Sequence, residues 1–159
     1  MKYKWIMGKE DRAMHHYVEC GLSYVYLENG FHIEVIDGEE YVSVDDVDSL
    51  HEVIGRALVD KPSALDGKEA RFLRVEMNLS QKRLGELLNV QDQSVARWEK
   101  NQIAMPRAAD VLLRSLYLES IRQESHVGHL LQVLAESDAE LAIRELTFRE
   151  IENHWQRTA

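Results

Sequence analysis

Four polar side chains, Gln91, Gln93, Ser94 and Arg97, stand close together in the stretch QDQSVAR. A glutamine amide can bond an adenine edge through two hydrogen bonds, and an arginine guanidinium can do the same with a guanine edge. A serine hydroxyl reaches a base or a phosphate. Around these four are groups suited to phosphate oxygens: Gln81, Lys82, Arg83, Lys100, Asn101 and Arg107. Gln81 stands where a helix should begin, so its amide could act together with backbone N–H groups. The chemistry on offer is recognition of a nucleic acid. The plainer reading of the same residues is a solvated helix face, and context must separate the two.

Other chemistries are poorly served. His15, His16, Cys20 and His32 could form a mixed zinc site. At strand spacing, however, His15 and His16 point to opposite faces, and no metal is expected. Asp45, Asp46 and Asp48 could gather a cation, but they fit a helix N-terminus, where negative charge is favourable. Cys20 has no evident catalytic partner and reads as a buried thiol. No nucleophile–base arrangement, phosphate loop or metal-ligand spacing is found, so neither an enzyme nor a cofactor is expected.

Charge is distributed unevenly. Of the 159 residues, 28 are acidic and 19 are Lys or Arg, for a net charge of −9. Residues 1–64 carry a net −7, residues 65–119 a net +1 and residues 120–159 a net −3. A general nucleic-acid coat would be basic. The one stretch that is not acidic contains the recognition residues, which favours specific contacts over bulk attraction. A single cysteine excludes an intrachain disulfide. Neither an apolar run of membrane length nor a secretory leader is evident, so a cytoplasmic protein away from membranes is expected.

The elements that must position these side chains follow from periodicity and punctuation. Residues 1–13 read as a loosely ordered arm. Val- and Tyr-rich runs predict strands at about 15–20, 22–28, 31–37 and 40–44, with Asn29-Gly30 and Asp37-Gly38 as hairpin turns. A helix over 46–59, capped by Asp45 or Asp46, should cover one face of that sheet with Val47, Leu50, Ile54, Ala57 and Leu58. Lys61-Pro62-Ser63 marks a boundary. Beyond it Asp66, Ser80 and Gln91 or Asp92 cap three helices, and Asn78 and Asn89 end the first two. Ala70, Leu73 and Met77 face inward from the first, Leu84, Leu87 and Leu88 from the second, Val95 and Trp98 from the third. Pro106 opens a fourth helix over 106–119 with Ala109, Leu112, Leu113 and Leu116 on one side. Residues 121–135 are expected to continue helical, and Ser137 to cap a last helix over 138–156 striped with Leu141, Phe148, Ile151 and Trp155.

LSQKRLGELLNV followed by QDQSVARWEKN resembles the paired helices of the Xre family, the Cro/C1-type helix-turn-helix proteins. FLRVEMN and IAMPRAADVLLRSLYLE are similar to that family's outer helices. The likeness runs from about Leu65 to Leu118. It implies a lambda-repressor-like all-α domain in which QDQSVARWEKN enters a DNA major groove. In that family an arginine near the end of the first helix pairs with an acid near the end of the recognition helix. Arg74 and Glu99 match those positions, so the resemblance implies a partly buried ion pair. The order of units also resembles MqsA-like and HigA-like antitoxins, which repress their own operons and block a toxin. MqsA-like proteins hold zinc through paired cysteine motifs, and this chain has one cysteine.

The expectation is therefore an α+β chain: a small N-terminal antiparallel sheet with one helix over 1–62, a helix-turn-helix domain over 63–119 and a C-terminal helical extension over 120–159. A single recognition helix reads few base pairs, so a homodimer on a palindromic operator in double-stranded DNA is expected, joined through residues after Pro106. The function expected is repression by an autoregulating antitoxin with a toxin at the N-terminal unit. The alternative is a stand-alone regulator whose N-terminal unit senses a ligand or protein.

Overall fold

The computed structural model describes residues 2–7, 10–122, 128, 148–151 and 154–157, with side chains over 14–121 and at 128. The N-terminal part is strands and one helix, and the middle of the chain is helical. That α+β layout is the one expected.

The strands are placed differently from the expectation. β1 (Lys2–Met7) and β2 (Glu10–His16) pair antiparallel with Lys2 opposite His15 and Met7 opposite Glu10. Residues expected to form a loose arm are thus ladder-bonded. β3 (Tyr26–Leu27) adds to β2. β4 (Phe31–Ile36) and β5 (Glu39–Val44) form a separate hairpin. Among the described N-terminal residues these strands form two sheets where one was expected. Asp37 and Gly38, with φ of 52° and 84°, make the hairpin turn. Asn29-Gly30 instead links the two sheets, because β3 and β4 do not pair.

Most of residues 17–25 form a loop rather than the two strands expected at 15–20 and 22–28. Gly21, at φ 84°, turns the chain, and its N–H bonds the Val18 carbonyl at 2.9 Å. The Tyr17 N–H closes the loop onto the Val25 carbonyl at 2.9 Å. The Val- and Tyr-rich composition that signals strands here serves to plug the core: Tyr17 and Leu22 are buried. Burying a leucine contributes about 1.5–3 kcal/mol, enough to hold a short loop down.

α1 (Val47–Val59) starts at Asp46, whose carboxylate accepts the Ser49 N–H. It buries Ile54, Gly55 and Leu58, whereas Ala57, expected inside, is exposed. α2 (Gly67–Glu76), α3 (Gln81–Leu88), α4 (Asp92–Glu99) and α5 (Arg107–Arg122) follow. α5 runs on to Arg122, into the stretch expected to continue helical, and most of residues 121–135 lie outside the described residues.

The helix expected over 138–156 is corrected at its end. β6 (Phe148–Ile151) and β7 (His154–Arg157) pair antiparallel with Ile151 opposite His154. Two residues between runs carrying Phe, Ile and Trp is hairpin spacing, and that pattern competes with the helical stripe. Ser137 and Leu141 lie outside the described residues.

One buried cluster joins Tyr17, Leu22 and Leu27 to Ile54 and Leu58 of α1 and to Leu73, Leu84, Val95, Trp98, Leu113 and Tyr117. The connection around Pro62 is fastened too. Arg114 of α5 donates to the carbonyls of Val59 (3.0 Å), Lys61 (2.6 Å) and Ser63 (2.7 Å), and Asp110 accepts from Arg114 and from the Leu65 N–H. No helix among the described residues is long and apolar enough to cross a membrane.

Candidate nucleic-acid interface

The helices around the candidate reading surface are cut to length by their own residues. Asp66 accepts the Glu69 N–H, and the Glu69 carboxylate accepts the Asp66 N–H, a reciprocal cap on α2. Ser80 accepts the Arg83 N–H at the start of α3. Asn89, at φ 55°, ends α3 in the left-handed conformation that asparagine tolerates. α4 then begins at Gln91, whose side chain makes no cap, while Asp92 bonds the Gln93 N–H at 2.9 Å.

α3 and α4 cross closely because Gly85 has no side chain. A Cβ there would lie 2.7 Å from the Val90 carbonyl oxygen, which is backbone and cannot yield. Gly67 has the same role between α2 and α4, where a Cβ would meet the Trp98 carbonyl at 2.3 Å. Val95 and Trp98 sink α4 into the core. Gln91, Gln93 and Arg97 remain exposed and Ser94 half-buried, so the four candidate base-reading residues lie on the outer side of α4. Asp92, not anticipated as a contact, is exposed on the same first turn. A carboxylate there can accept from cytosine, so it bears on sequence preference.

Arg74 and Glu99 lie at bonding distance. The Arg74 Nε donates to Glu99 Oε1 at 2.5 Å and Nη2 donates to Oε2 at 3.0 Å, while Nη1 donates to the Leu79 carbonyl at 2.6 Å. Both residues are buried. Gln81 Nε2 donates to the same Glu99 carboxylate at 2.8 Å. One carboxylate on α4 thus ties down α2 and α3, while Arg74 holds the turn between them. An amide nitrogen carries two hydrogens, so Gln81 keeps one donor for a phosphate. Asn101 turns back into the fold, where its Oδ1 accepts the Gly67 N–H at 2.7 Å. Lys82, Lys100 and Arg107 are exposed, and Arg83 is paired with Glu86 at 3.1 Å.

Three of the alternative metal residues are engaged elsewhere, and the fourth, His15, is buried. His16 stacks on Tyr26 and bonds the Ser23 carbonyl, His32 pairs with Asp45 at 3.0 Å, and Cys20 donates to the Tyr17 carbonyl. His15 is buried beside Phe31. Among the described residues no group of three or more His, Cys, Asp or Glu side chains is placed to hold a metal ion.

Several residues that matter here were not anticipated from sequence. Glu69 also receives the Lys61 ammonium at 2.7 Å and the Tyr24 hydroxyl at 2.6 Å. Its signal was the Asp-x-x-Glu spacing after a loop. Asp110 and Arg114 stand one helical turn apart, a spacing that was also readable. Gly67 gave no sequence signal of its role, which depends on where α4 ends.

A helix-turn-helix family model matches residues 71–113, from within α2 to the first turns of α5. No curated protein and no solved structure matches the chain. The segment is thus a helix-turn-helix of the Cro/C1 kind, a DNA-binding domain of transcriptional regulators. The narrower likeness to MqsA-like and HigA-like antitoxins has no match behind it.

Proposed function

We propose that this protein is a dimeric repressor that reads a palindromic operator in double-stranded DNA and regulates its own operon as an antitoxin. The observation that carries DNA reading is the outer side of α4, where Gln91, Gln93, Ser94 and Arg97 stay accessible while Val95 and Trp98 hold the helix to the core. Gln91, Gln93, Ser94 and Arg97 are assigned to base edges. Lys82, Lys100 and Arg107 are assigned to phosphates, with Gln81, Arg83 and Asn101 at the margin because part of each is spent on another protein group. The Arg74–Glu99 pair orients α4. Two such helices about one DNA turn apart, roughly 34 Å, give a useful site length.

The dimer seam is assigned to the chain after Pro106, where Val111 stands exposed on α5. The antitoxin role rests on the region between Arg12 and Arg56, which has no Lys or Arg and ten acidic residues. Such a surface suits a basic protein partner. A second reading, a stand-alone regulator that senses a ligand, is favoured by a cavity between the 17–25 loop and α2.

The test is fluorescence anisotropy on the duplex upstream of the protein's own gene, beside scattering on the free protein. The proposal expects tight binding to that duplex, weak binding to a shuffled one and a dimer in solution. Equal binding to both duplexes, or a monomer at every concentration, contradicts it.

A further inference from the structure

A cavity of about 270 Å³ opens between the 17–25 loop, α1 and α2. That is near the lower end of the roughly 300–1,000 Å³ usual for ligand clefts, so its occupant is small. Its wall is apolar where Cys20, Phe72 and Val75 line it. Val75 is 51% exposed at its rim. Burial pushes the Cys20 thiol above its ordinary value, so the sulfur stays neutral.

The polar end is already committed. His51 bonds the Tyr17 hydroxyl through Nε2 and the Glu76 carboxylate through Nδ1, both at 2.8 Å. The remaining acid on the rim, Glu19, is 3.9 Å from His15 Nε2. Lys68 and Arg71 differ from all of these. They sit three residues apart on one face of α2, they line the cavity, and neither has a hydrogen-bond or ion-pair partner among the described residues. Two exposed cations with no protein partner, beside an apolar wall, complement an anion with an apolar body.

We propose that this cavity binds a small organic carboxylate, with its charge on Lys68 and Arg71 and its apolar body on Phe72, Val75 and Cys20. The site deepens the ligand-sensing reading by giving it a place and a ligand class. It is tested by binding alone, so failure to bind DNA would not bear on it.

The full chain is melted with increasing phenylacetate and 4-methylpentanoate, and the same probes are followed by saturation-transfer NMR. Phenylacetamide, which keeps the shape and loses the charge, is the control. Saturable carboxylate binding with a rising Tm is expected. The amide should bind at least roughly tenfold more weakly, as should the carboxylate to the Lys68→Ala/Arg71→Ala variant, since charge-assisted hydrogen bonds are lost. Both substituted residues are exposed, so the variant keeps its fold, which its own melt verifies. Val75→Asp should abolish binding by placing a like charge in the wall. The proposal is overturned if neither carboxylate binds saturably, if the amide binds as well, or if the double variant binds undiminished.

Discussion

The Glu99 carboxylate holds more of this molecule than any other single group on the reading side. It accepts from Arg74 and from Gln81 while standing on α4 itself. Removing one member of a buried pair leaves an uncompensated charge and costs about 3–5 kcal/mol, whereas replacing both with apolar groups of similar size is often neutral. Glu99→Ala should therefore lower the urea midpoint much more than Arg74→Met with Glu99→Leu. Equal losses would mean the pair is not acting as a buried unit. The double variant should still bind DNA less well, because Gln81 and the turn at Leu79 lose their anchor. Lys82 is exposed and was assigned to a phosphate, so Lys82→Ala should weaken all duplexes alike and reduce the salt slope by about one. A sequence-dependent loss would reassign it. The pairing partners could be named from a family likeness, but the arrangement around them could not. That Gln81 and Asn101 spend hydrogen-bonding groups inside the fold depends on where α4 ends relative to α2 and α3, which no local pattern encodes.

Element boundaries in the helical part were legible because capping residues write them out: Asp66, Ser80 and Asn89 stand where α2 and α3 start and α3 stops. The strands were less legible. Residues 17–25 have strand composition, yet Gly21 turns them and Leu22 is drawn into the core, so tertiary burial overrides propensity. In the same way Phe148–Arg157 fits a helical stripe and a hairpin, and pairing decides. Crossing geometry gives the sharpest test at this scale. Alanine is the better helix former than glycine by about 1 kcal/mol, so Gly85→Ala would stabilise an isolated α3. Here the new Cβ would stand 2.7 Å from the Val90 carbonyl, and such overpacking costs about 1–3 kcal/mol. A lower Tm and weaker DNA binding are expected, because α4 must move outward. A higher Tm with unchanged binding would show that the crossing is looser than described.

Across the whole molecule, the acidic N-terminal part and the helical part are joined by one core and by charged ties. Glu69 is a tie that acid should weaken. Desolvation by burial raises its pKa, but hydrogen bonds from Lys61, Tyr24 and the Asp66 N–H outweigh that, and the carboxyl is held below its ordinary value of 4.5. A depressed folded-state pKa means the stabilisation is present above pH 4.5 and is lost as pH falls through the folded value. Wild type should thus lose stability more steeply than Glu69→Gln below pH 4.5 in urea melts, and parallel curves would contradict this. The joint was not foreseen, since Lys61-Pro62-Ser63 reads locally as a boundary while Arg114 and Glu69, far along the chain, fasten it. With a net charge of −9, the proposed reading rests on specific contacts from α4 and local phosphate contacts from Lys82, Lys100 and Arg107 rather than on bulk attraction. The most direct measurement is selection of bound sites from random duplex DNA by wild type and by Arg97→Ala. The account predicts enrichment of a palindrome with half-sites about one helical turn apart. In the variant, one base position in each half-site should relax, with a loss of about 1–3 kcal/mol on the preferred site. No enriched sequence, or the same motif at the same strength from both proteins, would contradict it.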